Sequence, residues 1–396
     1  MQLAQRLNSV TEPQTIKMAK MSRELKAKGI NIVDLSLGEP DFKTPDHIIA
    51  AAVKAMNDGF TKYPPVAGFP DLLEAISIKL KRDNNLDYAT SEILVSTGAK
   101  QSLYNAVMSI VDPGDEVIIP TPFWVTYASQ VQLAGGVVKY INCGIENDFK
   151  LLPEQLDQAI SPHTKLFMFS SPCNPTGSVY SKEELAALVK VFRRHPQVLI
   201  ISDEIYEYIN YSGHHVSIAQ FDEIKDRVVV INGMSKAYAM TGWRLGYMAA
   251  PREIVQACEK LQAQSTSGAN SITQKASVVA LLSDLAPTYK MVDAFKERRD
   301  YVIGALKKMP GVKSNSPDGA FYAFPDISAF FGKKYGEYVI HNDLDLSMYL
   351  LNEAHVATVC GTAFGAPTCI RLSFATSMTN LMQAMEQMAV ALAQLS

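Results

Sequence analysis

Residues 227–250, RVVVINGMSKAYAMTGWRLGYMAA, hold two apolar runs separated by a turn-rich segment that carries one lysine, Lys236. The first run, RVVVING, is apolar without alternation, the pattern of a strand buried on both faces. The second, RLGYMAA, reads as another strand. A lysine just past a buried strand points either into solvent or into a cleft. Arg244 follows Lys236 by eight residues, beyond a turn that contains Gly242.

Five more runs of this kind precede that stretch: EILVSTG, DEVIIP, GVVKYI, KLFMFSSP and VLIISDE. Amphipathic segments lie between them. One is SKEELAALVKVFRRH, in which Ser181 followed by Glu184 makes a capping box. Strand and helix repeated in this way predict an α/β fold, a mostly parallel seven-stranded sheet covered by helices. The ends differ. Short strands are expected in NIVDLSLG, GAFYAFPDI and CIRLSFA, a long helix in YKMVDAFKERRDYVIGALKKM, and a further helix at the C-terminus. The division expected is a large domain over 46–285 and a smaller α+β domain built from 1–45 and 286–396.

The totals narrow the classes. A chain of 396 residues, 47% hydrophobic and 19% charged, has material for a sizeable core and about two lobes. A formal charge of −3 gives no electrostatic case for nucleic acid or an anionic membrane. Five scattered cysteines without a CxxC pair read as reduced thiols rather than a disulfide frame or zinc site. The opening MQLAQRLNSVTEPQT lacks the apolar core of a signal peptide, and no run is long enough to span a bilayer. A cytoplasmic protein is expected.

Several strand ends carry chemistry. VLIISDE ends in Asp203, with Tyr206 three residues on. Alone, Asp203 reads equally as a helix cap, but the C-terminal ends of parallel strands are where α/β sheets bind ligands. KLFMFSSPCNPTG places Asn174 before Pro175, and ILVSTGAKQSLYNAV runs from strand through glycine into helix, exposing backbone N–H groups that suit a phosphate. Taken together these meet the needs of pyridoxal 5'-phosphate. Lys236 can form a Schiff base with the aldehyde, and Asp203 can face the ring nitrogen. Tyr206 and Asn174 can bond the ring hydroxyl oxygen, and Trp124 can stack on the ring. The turn Gly98–Ala99–Lys100, Ser235 and Arg244 can hold the phosphate.

The motifs LSLGEPDFKTP, KYPPVAGFPDLLEAI, STGAKQSL, DPGDEVIIPTPFWVTY, NPTGSVY, SDEIYE, SKAYAMTGWRLGY and IRLSFAT run in order through nearly the whole chain. With them the chain resembles the fold-type I, class I pyridoxal-phosphate aminotransferases, and is similar to the bacterial aspartate aminotransferases of the I-beta subgroup. The resemblance implies transamination by a ping-pong mechanism between aspartate, or another amino acid, and 2-oxoglutarate. It also implies a homodimer in which Tyr63 of one subunit reaches the phosphate bound by the other, and a cis Asn174–Pro175 bond. One position departs. Gly233 stands three residues before the lysine, where many relatives carry a phosphate-binding serine, and Ser235 is left as the candidate.

The same resemblance assigns the substrate's α-carboxylate to Arg371 and to the backbone at Gly38, with Trp124 and Asn174 alongside. A planar arginine fork suits a carboxylate. It assigns the distal carboxylate to Lys100, helped by Thr15. QAQSTSGANSITQ contains no arginine like the second receptor of the other aspartate aminotransferase subgroup. Three alternatives stay open: an aminotransferase for aromatic amino acids, prephenate, alanine or kynurenine; a lyase on the same fold; and a regulatory effector-binding module. Prephenate-accepting relatives tend to carry a basic residue where Thr11 stands, and no helix-turn-helix precedes NIVDLSLGEPDF.

Overall fold

The computed structural model of the protein describes residues 4–10 and 14–396. All seven expected runs are strands of one sheet: β1 (Ile93–Ser96), β2 (Glu116–Thr121), β3 (Val137–Asn142), β4 (Thr164–Ser170), β5 (Leu199–Asp203), β6 (Val228–Gly233) and β7 (Gly246–Ala249). Their order is β1-β7-β6-β5-β4-β2-β3, and only β7 runs antiparallel to its neighbours. The absence of alternation in the sequence has a direct cause. Val228 and Val230 enter one apolar cluster and Val229 and Ile231 the other, so both faces of β6 are buried under helices.

The Ser181 cap forms as expected. Its hydroxyl accepts from the Glu184 N–H at 3.2 Å, and Glu184 accepts from the Ser181 N–H at 2.7 Å, starting the helix Lys182–Phe192.

A separate apolar cluster joins residues from both ends of the chain, including Leu35, Phe295, Tyr322, Leu372 and Leu392. Val33–Asp34 pairs with Val356–Ala357, while Ile370–Ser373 lies between Tyr322–Ala323 and Val359–Cys360. The long helix expected near residue 290 spans Ala286–Leu306, and the terminal helix spans Met378–Gln394. The five cysteines are unpaired. Among the described residues, no helix is long and apolar enough to cross a membrane.

Candidate active site

A cavity of about 460 Å³ opens where the C-terminal ends of β4, β5 and β6 meet the segments from the chain termini. Register aligns the strand ends: Ser170 pairs with Asp203, and Asp203 with Ile231, so each strand ends beside the next. Lys236 leaves the loop after β6 and donates from Nζ to the Gly38 carbonyl at 2.5 Å. Burial brings its ammonium down to about 8, opposed by Glu39 and Asp203 and assisted by Arg371 and Arg244. Near neutrality this amine therefore holds its proton loosely.

Asp203 is 5% exposed. Its Oδ2 accepts from the Tyr127 hydroxyl at 2.6 Å, and its Oδ1 from the Ile205 N–H at 3.3 Å. Burial lifts this carboxyl to about 6, against the pull of those two donors. Such a site favours an added cation. Tyr206 is buried too, its hydroxyl 2.7 Å from that of Tyr322, and burial pushes the phenol well above its ordinary range. It stays protonated and can donate.

Arg371, in Ile370–Ser373, is 2% exposed. Its fork donates to Asn174 Oδ1 at 3.0 Å and to the Ser36 carbonyl at 2.7 Å, between the rings of Tyr322 and Phe364. Nε has no partner, and among the described residues no carboxylate pairs with the guanidinium. A buried cation without an anion is costly, and an anion entering the cavity beside it would relieve that cost. The bond from Arg371 also fixes Asn174, whose NH2 remains to donate.

The helix Ala99–Ile110 begins at Gly98, φ +82°, with no side-chain cap. A Cβ on Gly98 would strike the Arg244 guanidinium, and one on Gly246 would strike the backbone of Ala99. Two glycines thus let a bare helix N-terminus, an arginine and strand β7 converge, with Ser235 lining the same space. Gly233 has a steric explanation. A Cβ there would lie 2.8 Å from Gly246 Cα and 2.9 Å from the Leu245 carbonyl, so no serine fits without movement.

Lys100 places its ammonium 4.9 Å from the Trp124 ring centroid, and burial and Arg244 lower its proton affinity. Of the expected residues, Gly38, Ala99, Lys100, Trp124, Asn174, Asp203, Tyr206, Ser235, Lys236, Arg244 and Arg371 line the cavity. Tyr63 does not; it is 97% exposed. Thr15 falls in the first turn of the helix Gln14–Ala27, but its side chain, like all of Thr11, lies outside the described residues. Tyr127, Tyr322 and Arg23 line the site without having been singled out. Only the tyrosine in TPFWVTY, three residues after Trp124, carried a signal, its place one helical turn along.

Residues 30–388 match the family described as aminotransferase class I and II. The chain belongs to that family. This aminotransferase is 46% identical to the aspartate/prephenate aminotransferase of Nitrosomonas europaea, over 98% of its own length and 99% of the relative's. It is 47% identical to the aspartate aminotransferase of Geobacillus stearothermophilus, covering 98% of both. It superposes on the aspartate aminotransferase from Rhizobium meliloti with a TM-score of 0.97 and 42% identity, covering 100% of each chain. A second solved relative, the Thermus thermophilus aspartate aminotransferase with maleate, gives 0.93 at 38% identity, over 99% of this chain and 100% of that one.

Proposed function

We propose that this aminotransferase moves the amino group of L-aspartate to 2-oxoglutarate, with pyridoxal 5'-phosphate as cofactor. The observation that carries the reading is Arg371, a buried guanidinium with an orphaned Nε in the cavity that holds Lys236 and Lys100. The donor set fits the cofactor. An uncapped helix start with Arg244 and Ser235 suits a phosphate, and a buried carboxyl lifted to about 6 suits a protonated pyridine nitrogen. When bound, that group supplies an electron sink conjugated with the substrate's α-carbon.

The chain's own residues do the rest. Lys236 would hold the aldehyde carbon and, once released, take and return the α-proton at Nζ, a task its lowered proton affinity suits. Asp203 would keep the ring nitrogen protonated, while Tyr206 and Asn174 donate to the ring hydroxyl oxygen and Trp124 covers the ring. Arg371 and the Gly38 backbone would take the α-carboxylate. Lys100, aided by Thr15, would take the distal one.

A homodimer supports this arrangement. Tyr63 is free of its own cavity, and Ile49, Val53 and Met56 form an exposed apolar stripe on the helix Asp46–Asn57, a face suited to a second copy. Tyr63 would then reach the phosphate of the other subunit. The unpaired cysteines fit a reducing, cytoplasmic setting.

The test is Lys100→Ala in half-reactions with single amino acids. Removing one partner of a desolvated charge pair costs roughly 2–5 kcal/mol. That loss in kcat/KM is expected with aspartate and far less with alanine or phenylalanine. Equal losses on all three would place Lys100 at the phosphate and remove the dicarboxylate reading.

A further inference from the structure

One short piece of chain holds two of the cavity's cations. The Ser36 carbonyl accepts from a terminal nitrogen of Arg371 at 2.7 Å, and two residues on the Gly38 carbonyl accepts from Lys236 Nζ at 2.5 Å. The course of residues 36–38 therefore helps to set where the guanidinium stands relative to the amine. That course is decided just upstream. Val33 and Asp34 run beside Val356 and Ala357, and the Leu35 N–H donates to the Ala357 carbonyl at 2.9 Å. The Leu35 carbonyl in turn accepts from the Ser373 N–H at 2.8 Å. At Leu35 the chain thus crosses from one pairing to Ile370–Ser373, the strand that carries Arg371.

Asp34 makes this bend. Its Oδ1 accepts from the Ser36 N–H at 3.0 Å and from the Ser36 hydroxyl at 2.6 Å. An aspartate that bonds its own backbone two residues on is common turn chemistry. What distinguishes this turn is the group at its end. Ser36 is buried, and the two bonds fix its backbone and its side chain together. A length of 2.6 Å is that of a hydroxyl bonded to an anion, the stronger kind. The polar group of Ser36 that Asp34 does not hold is the carbonyl on Arg371. Asp34 itself does not line the cavity, so its influence on the site passes through Ser36.

We propose that Asp34 is a positioning residue for transamination: it pins Ser36, whose carbonyl holds one limb of the Arg371 fork and keeps the guanidinium oriented for the substrate's α-carboxylate. This inference rests on the function proposed above. Asn174 holds the other limb at 3.0 Å, so the fork is braced from two elements, and Asp34 governs the brace on the side of the chain's N-terminal segment.

Half-reactions of the cofactor-loaded enzyme with aspartate and alanine provide the test, since the two share an α-carboxylate and only one has a distal carboxylate. Asp34→Ala should lower kcat/KM about tenfold with both, chiefly through KM, which is inside the roughly hundredfold that a misplacement of about 1 Å can cost. Asp34→Asn keeps an acceptor oxygen and should recover most of that loss. Ser36→Ala removes the hydroxyl bond alone and should lose about threefold. In an Arg371→Ala background both losses should vanish, because the positioning acts only through the guanidinium; a general weakening of the fold would persist there. Cofactor loading, followed by absorbance, shows that each variant is folded, and if Asp34→Ala does not load, Ser36→Ala and its cycle with Arg371→Ala decide. Losses that survive without Arg371, or no loss in its presence, overturn the proposal and leave the proposed function standing. If Arg371→Ala itself leaves kcat/KM unchanged with both amino acids, the α-carboxylate reading falls, and the role of Asp34 with it.

Discussion

Replacing Tyr127 by phenylalanine removes one hydroxyl from a buried pair and leaves its ring packed among Val131, Ala128 and their neighbours. Asp203 then keeps only the Ile205 N–H at 3.3 Å as a donor. A hydrogen bond to a charged group contributes about 1.5–3 kcal/mol, and about 1.36 kcal/mol corresponds to one pH unit. The titration of Asp203 in the cofactor-free chain should therefore move up by about one to two pH units from its present midpoint of about 6. The sign follows from the bond's preference for the anion: losing it favours the neutral acid. Difference infrared spectroscopy reads this directly, since the protonated carboxyl stretch at Asp203 vanishes as the group ionises and is absent from Asp203→Asn. The same shift acts on stability. Asp203 titrates higher in the fold than in the unfolded chain, so its contribution is present at low pH and lost as pH rises through about 6. In Tyr127→Phe the loss should extend to higher pH. An unchanged midpoint in Tyr127→Phe would show that the hydroxyl does not hold the carboxylate, and the account of Asp203 would fail.

Three more outcomes test the site. Because burial brings Lys236 down to about 8, uptake of pyridoxal phosphate at Nζ should quicken as pH rises through that value and level off above it. Stopped-flow absorbance checks this, and a flat profile would contradict it; Lys236→Ala should leave no covalent adduct in the mass spectrum after borohydride reduction. Gly233→Ser forces a side chain against Gly246 Cα and the Leu245 carbonyl, at an overpacking cost of about 1–3 kcal/mol. Thermal melting should show the loss, and a variant that melted higher would refute the steric explanation.

Much of the central sheet was legible because burial on both faces writes itself as unbroken apolar runs, while the edge strand β3, largely exposed, was read from a run that a lysine interrupts. The small pairings were not. Lys334–Tyr335, which pairs with Tyr338–Val339, Val356–Ala357, which pairs with Val33–Asp34, and Val359–Cys360, which pairs with Ile370–Arg371, are each two residues long, too short to establish a period. In the cavity, Lys236, Asp203 and Asn174 could be read because they end or follow strands. Tyr322 and Arg23 could not, since their place depends on how segments hundreds of residues apart fold back over the sheet. Tyr322 meets Tyr206 across 116 positions, and nothing local to either marks the meeting.

The reversed direction of β7 gives the chain something close to a ruler. Lys236 follows β6, Arg244 precedes β7, and the two strands are locked together where Gly233 pairs with Gly246. One hairpin thus sets the separation between an amine and a guanidinium from two points on a single backbone ladder. An inserted residue inside the loop would be absorbed locally, but one inside either strand would turn alternate side chains to the other face and carry Arg244 away from the helix start at Gly98. Length changes in this stretch are therefore penalised more by position than by number, and the tolerated ones are confined to the few loop residues that touch neither ladder nor cavity.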